Sequence, residues 1–232
     1  MTAGREAGRD AGKSAIDHVF ICCAEGAPEA AALAALGLRE GPPNTHPGQG
    51  TACRRVFFRN AYLELLWVGD PDEAGDESVR DLRLWDRWSA RDADACPFGI
   101  ILRPDAADDI PARPPFDAWP YRPAYLPDGL SIDVGRGTPL SEPALFFLGF
   151  ARPPDASREA LCDHALPLRE LTMVDVGRPG DAPASDALTS LVAQGLLSLS
   201  SADRHTLTLT FDDGRLGRTA DLRPPLPLRL RW

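Results

Sequence analysis

The chain has 232 residues, enough to bury a sizeable core, and its 44% hydrophobic and 25% charged residues are ordinary for a soluble globular protein. A formal net charge of −9 leaves no basic surface for nucleic acid and would be repelled by an anionic membrane, so neither is expected as a partner. Five cysteines without a CxxC pair read as the reduced thiols of a cytoplasmic protein, because adjacent Cys22 and Cys23 would point to opposite faces of a strand.

The opening MTAGREAGRDAGKSA is polar, Gly/Ala-rich and mixed in charge, with no apolar signal-peptide core, and is expected to be disordered to about residue 14. AIDHVFICC (15–23) reads as a strand, and APEAAALAALGL (27–38) as a short helix with Pro28 at its start and Gly37 near its end. GPPNTHPGQG (41–50) is a loop, and TACRRVFFR and AYLELLWV are an antiparallel pair joined at Arg59-Asn60. In 76–92, Val79, Leu82, Trp85 and Trp88 fall three apart and predict one apolar stripe of a helix.

CPFGIILRP (96–104) is a strand, and the proline-rich 104–128 carries Phe116, Trp119, Tyr121 and Tyr125, which suggests a segment folded over something. GLSIDVG (129–135) and EPALFFLGF (142–150) read as strands, and 157–165 as a helical turn. LRELTMVDVG (168–177) is a strand and ASDALTSLVAQGL (184–196) a helix. LLSLSS, HTLTLTFDD and RTADLRPPLPLRLRW then read as strands, with a hairpin signal in DDG at 212–214. A strand-helix-strand pattern thus occurs twice, at about 15–70 and 168–232, around an insert at 71–167. The expected fold is α+β, two similar halves folding as one unit.

Glu64 lies inside an apolar strand, where a carboxylate is costly unless it is paired or bound to a metal. Alternation puts it on one face with Tyr62 and Leu66, and puts His18 with Ile16 and Phe20. If those strands are neighbours, imidazole and carboxylate converge, either on an ion or as a metal-free general base. The loop from His46 to Thr51 is either a plain turn or the closure of a cavity mouth, with backbone N–H groups offered to a ligand. Arg54 and Arg55 alternate, so one of them faces the cavity. Arg103 and Arg122 suit an anionic substrate or, equally, surface ion pairs. Without a GxSxG elbow or a glycine-rich phosphate loop before a helix, a serine hydrolase and a nucleotide cofactor are not expected.

IDHVFICC, HPGQGTACRRVFFRNAYLELLWV, CPFGIILRP and YLP…EPALFF resemble the glyoxalase-like domain proteins of the vicinal-oxygen-chelate (glyoxalase/bleomycin resistance/dioxygenase) superfamily, over most of 15–150. The resemblance implies two βαβββ modules forming a half-open barrel whose cavity binds a small, oxygen-rich organic molecule. It also implies one divalent metal (Fe, Mn, Zn or Ni) on His18 and Glu64, which would then be the catalytic residues of a lyase, isomerase or dioxygenase. Substrate contacts are expected from His46, Gln49, Arg54, Tyr62, Arg103, Tyr125 and Glu142. A homodimer is within what the resemblance implies.

The second copy of the pattern departs from the superfamily. Laying RELTMVDV under AIDHVFIC puts Thr172 opposite His18, and PLPLRLRW contains no Glu, Asp or His, which leaves His164 and Glu142 as substitute ligands. That departure favours a metal-free enzyme, or a non-catalytic protein that sequesters a small molecule under Trp119, Tyr121 and Tyr125.

Overall fold

The computed structural model describes residues 13–106 and 112–232, so the expected disordered opening lies outside the described residues up to residue 12. The first strand already begins at Ser14. Strand β1 (Ser14–Cys22) is followed by helix α1 (Ala30–Ala35) and strands β2 (Asn44–His46), β3 (Thr51–Phe57) and β4 (Tyr62–Val68). Two short helices, α2 (Pro71–Gly75) and α3 (Leu84–Ser89), lead to β5 (Phe98–Pro104), β6 (Ala118–Tyr121), β7 (Ile132–Gly135) and β8 (Ala144–Phe147). The chain ends with β9 (Leu171–Arg178), α4 (Asp186–Ala193), β10 (Ser198–Ser201), β11 (Thr206–Phe211), β12 (Thr219–Asp221) and β13 (Leu228–Arg231).

The first eight strands form one curled half-barrel sheet in the order β2-β3-β4-β1-β5-β8-β7-β6. Each half opens with a strand that pairs in parallel with its own last strand, β1 with β4 and β5 with β8. The halves join through antiparallel β1 and β5. The partner of the first module is therefore residues 98–147, which the sequence pattern placed in an insert. The later segment, 168–232, forms a separate sheet in the order β10-β9-β11-β13-β12. The reason is local. In the true second half no helix forms between the first two strands among the described residues, where Pro114 and Pro115 lack the N–H groups that a regular helix needs.

Two other expectations change. The helix over 76–92 is broken by Arg83, which has φ 55° in the left-handed region, so only a 3-10 turn (Arg80–Leu82) and α3 form. Val79, Leu82 and Leu84 point inward as a result, and Trp85 is exposed. Asp212 and Asp213 adopt the positive φ of a tight turn, but β11 pairs with β9 and β13 and not with β12, so this turn closes no hairpin.

Strand β5 is buried along its whole length because it is covered on both faces. On one side Phe98, Ile100 and Leu102 join Val19, Ile21, Leu63, Leu65 and Phe147 against the second sheet's Val174, Val176, Leu207, Leu209, Leu228 and Leu230. On the concave side Ile101 joins Phe20, Leu66, Phe146 and the inward residues Val79, Leu82 and Leu84. Gly99 leaves room for Phe20, since a Cβ there would lie 2.1 Å from that ring.

Polar side chains tie the sheets together. Asn60, in the turn between β3 and β4, donates to the Leu171 carbonyl and accepts from its N–H, both at 2.8 Å. Glu142, only 1% exposed, accepts from Ser185 N–H at 2.8 Å and Ser185 Oγ, and lies 3.4 Å from Arg178 Nη2. Removing that carboxylate leaves the largely buried Arg178 guanidinium with the Ala182 carbonyl but no acid, and leaves the Ser185 N–H at the start of α4 unpaired. Glu142→Ala is expected to lower stability by about 3–5 kcal/mol in urea unfolding, and Glu142→Gln by less.

His164 accepts the Arg39 N–H on Nδ1 at 3.0 Å, so its Nε2–H donates to the Phe57 carbonyl at 2.8 Å. Burial, the largest cause, holds its pKa below the ordinary 6.5, and the same cause lowers those of His46 and His205. The unfolded chain takes up these protons at higher pH than the folded one. The stabilisation is complete above about pH 6.5 and is lost as pH falls below that value through the lower pKa values of the folded state. Melting temperature is expected to drop on acidification from about pH 7 to pH 5, with a shallower slope in His164→Gln.

Candidate functional site

The concave face of the half-barrel carries His18, Phe20 and Cys22 from β1 and Tyr62, Glu64 and Leu66 from β4, which stand opposite each other in register. Strand β3 adds Cys53 and Arg55, opposite Leu66 and Glu64. The two strands of the pair expected to bring His18 and Glu64 together are adjacent, and His18 Nε2 lies 3.7 Å from Glu64 Oε2. Both residues are buried, at 8% and 5% exposure.

Asp17 completes this arrangement. In the β1–β5 ladder Ile16 pairs with Leu102 and His18 with Ile101, so Asp17 is an extra, unpaired residue. The bulge breaks the alternation that would send neighbouring side chains to opposite faces. Asp17 Oδ1 lies 2.6 Å from His18 Nδ1, and Asp17 Oδ2 lies 3.7 Å from Arg103 Nε. Arg103 also donates to the Pro104 carbonyl at 2.8 Å. A buried polar row thus runs Arg103, Asp17, His18, Glu64. The carboxylate at Nδ1 fixes the tautomer, keeping the proton on that nitrogen and leaving the Nε2 lone pair free in the neutral ring. Tyr62 stacks on the imidazole at 4.1 Å between centroids and 16° between planes, and its hydroxyl lies 3.5 Å from Nε2. Burial, then the charges of Glu64 and Asp17, push the Tyr62 phenol well above its ordinary pKa, so it stays protonated.

On its other side, Glu64 Oε1 accepts from Cys53 Sγ at 3.4 Å. Burial first, and then Glu64, push the Cys53 thiol up. Donor atoms of His46, Cys53 and Glu64 all lie within 4.8 Å of one another. Asn44 Nδ2 donates to His46 Nε2 at 3.1 Å, which leaves Nδ1–H for Thr51 Oγ1 at 2.9 Å. Gln49 Nε2 donates to the same Thr51 oxygen at 2.7 Å, and Gln49 Oε1 accepts from Tyr125 Oη at 3.0 Å. The Tyr125 ring lies 5.5 Å from that of His46. The loop therefore bonds mainly to itself and to Tyr125. Its Gly48 and Gly50 N–H groups are taken by Glu73 Oε2, at 2.8 and 3.1 Å. Gly50, at φ +71°, passes so close to α2 that a Cβ would lie 2.3 Å from the Asp70 carbonyl.

Of the residues expected from the sequence, His18, Glu64, Tyr62, Arg103 and, at the rim, His46, Gln49 and Tyr125 are brought together. Arg54 points the other way, to Glu40 and the Ala27 carbonyl. Arg55 is the member of that pair beside Glu64, held by the Pro42 and Pro43 carbonyls with its guanidinium 5.1 Å from the Phe57 ring centroid. Glu142 and His164 belong to the packing described above. Sequence reasoning missed Asp17 as a partner. The only available signal was its place beside His18.

A superfamily-type metal site needs ligands from both halves. The corresponding inward positions of the second half are Gly99, Ile101 and Arg103 on β5 and Ala144 and Phe146 on β8, none of which can coordinate a cation. The four-ligand site therefore does not fit this chain. The donor set that does converge, His46, Cys53 and Glu64, belongs entirely to the first half.

Residues 16–124 match the family described as the glyoxalase-like domain. This stretch, just under half of the chain, is similar to the glyoxalase-like domains of the vicinal-oxygen-chelate superfamily. The match covers the first half from the third residue of β1 onward, and β5 and β6 of the second. No curated protein matches the sequence. A solved structure of a hypothetical protein from Staphylococcus aureus aligns with 94% of this chain and 99% of its own at 9% identity, with a TM-score of 0.49. Among the described residues no helix is long and apolar enough to cross a membrane.

All five cysteines are unpaired, and burial raises every thiol pKa, with Cys22 and Cys96 each reaching about 12. At pH 8 a thiol-labelling reagent is expected to modify the partly exposed Cys162 first. The other four should react only at the rate of unfolding.

Proposed function

We propose that the glyoxalase-like domain binds a small oxygen-bearing organic molecule against the first half of its concave face, and that His18 moves a proton of that molecule. The observation that carries this reading is the 2.6 Å contact between Asp17 and His18, itself backed by Arg103. With Nδ1–H held by a carboxylate, Nε2 is the basic atom. It accepts a proton from a carbon beside a carbonyl, or from a hydroxyl, and Asp17 stabilises the imidazolium that results. Glu64 Oε2, at 3.7 Å, adds a second negative charge on the Nε2 side. Tyr62 remains a neutral donor that can hold a substrate oxygen. Phe20, Ile101 and Phe146 fill the centre of the concavity, which limits the substrate to a small one.

The test is hydrogen–deuterium exchange of α-hydroxy ketones and α-hydroxy aldehydes in D2O, followed by NMR. Exchange catalysed by the wild-type protein should fall about 10²–10⁴-fold in His18→Gln, with a smaller loss in Asp17→Asn. If no member of that substrate class exchanges, or if His18→Gln exchanges as fast as wild type, the proton-transfer reading fails and a sequestering role is left.

A second reading rests on the His46, Cys53 and Glu64 donors within 4.8 Å. A nitrogen, sulfur and carboxylate set suits Zn better than Fe, Mn or Ni, and a bound ion would polarise a substrate oxygen. Elemental analysis of untagged protein decides between the readings. Near-stoichiometric metal, lost in Cys53→Ser and retained in His18→Ala, is the result expected of this donor set. Metal lost in His18→Ala would restore the His18 and Glu64 site implied by the superfamily.

A further inference from the structure

A second polar feature lies on the concave face, in the half that lacks metal ligands. Between α3 and strands β7 and β8 there is a cavity of about 450 Å³, within the size range of small-molecule sites. It lies two strands from His18 in sheet order, on the order of 10 Å away at the usual strand spacing, with Phe20, Ile101 and Phe146 packed between. Leu82, Val134 and Ala144 form its apolar wall and Trp119 adds an aromatic one.

The charges around it are one-sided. Arg83, Arg87 and Arg136 line the cavity against a single acid, Asp81. Arg83 and Arg136 are exposed and have rim pairs with Asp86 at 3.5 Å and Asp117 at 3.7 Å. Arg87 is different. It is 2% exposed, and all its protein bonds run from Nη1 to the carbonyls of Cys96, Leu140 and Glu142. Its Nε has no partner, and among the described residues it has no ion pair with a carboxylate. Burial lowers its pKa and only the thiols of Cys96 and Cys22, themselves held neutral by burial, oppose that, so among the described residues the guanidinium lacks a counter-charge. A buried cation without one is costly, and a ligand anion is the simplest remedy. Thr138, on the same wall, also has a buried hydroxyl without a partner.

The geometry points to a binding site for an aromatic carboxylate, with its ring between Trp119 and the Leu82–Val134 wall and its carboxylate toward Arg87 and Arg136. Carboxylate suits the fork of a guanidinium, and a planar ring suits the indole face. This site is independent of the proton transfer assigned to His18, because binding is read without turnover.

The experiment titrates 4-fluorobenzoate into the full chain and follows its fluorine resonance, with 4-fluorobenzamide as the uncharged isostere and inorganic phosphate as a competitor. Saturable binding of the benzoate is expected, with the benzamide about tenfold weaker or more. Arg136→Ala and Trp119→Ala, both at partly exposed positions, should each weaken binding about fivefold or more. Arg87→Met should abolish it, provided its circular dichroism matches wild type. Absence of saturable binding, equal binding of the benzamide, or binding untouched by both Arg136→Ala and Trp119→Ala would overturn the assignment. Displacement by phosphate at concentrations equal to the benzoate would overturn the aromatic part of it.

Discussion

Everything at the centre of this protein depends on keeping buried charge neutralised inside a half-barrel. Arg103, Asp17, His18 and Glu64 alternate in sign when the imidazole is protonated, and each has its neighbour within 3.7 Å. Isolated, any one of them would be expelled or neutralised by a large pKa shift. In sequence they arrive as a dipeptide on β1, a residue on β4 and one near the end of β5. Only the parallel β1–β4 pairing and the antiparallel β1–β5 pairing bring them into one row. The bulge at Asp17 is the local condition for this row. A regular strand would turn the aspartate toward the apolar layer between the sheets, where Val19 and Ile21 lie.

The same constraint explains what could and could not be read in the sequence. Period-two alternation placed His18 and Glu64 on inward faces, and the register bears that out. Alternation also hid Asp17, because a bulge is a departure from the period and leaves no mark on residue type. It could not choose between Arg54 and Arg55, which differ only in which way the strand turns. Glu40 settles that by taking Arg54. The second half was concealed for another reason. Its strands β6, β7 and β8 are four residues each and no helix lies among its described residues, so the 168–232 segment, with a recognisable helix, is the better repeat by pattern.

That later segment has a structural part of its own. The half-barrel's outer face is a broad apolar surface, and the second sheet supplies the matching one, so that β1 and β5 at the centre are covered on both sides. The two sheets meet through apolar packing but are registered by a few buried polar groups, above all Glu142 and Asn60. Glu142 sits where a ligand-binding acid was expected, just before β8. Its carboxylate is committed to Ser185 and Arg178 instead, so an acid in an apolar context again proves to be paired.

The two halves of the barrel solve the problem of their polar groups in opposite ways. The first half closes its polar groups on partners: Asp17 on His18 and on Arg103 of β5, Glu64 on the neutral Cys53 thiol, and the glycine-rich loop on Glu73. Among the described residues Arg87 has no carboxylate partner and is given only carbonyl oxygens, which solvate a cation without neutralising it. Two modules of like topology therefore present unlike groups on one concave face, a carboxylate-flanked imidazole on one side and, among the described residues, a guanidinium without a carboxylate on the other. Phe20 and Phe146, packed at 6.2 Å between their rings, keep the two apart. In a symmetric pair of modules both halves would converge on one central ion. Here the aromatic plug takes that centre, and the polar groups are displaced to either side of it.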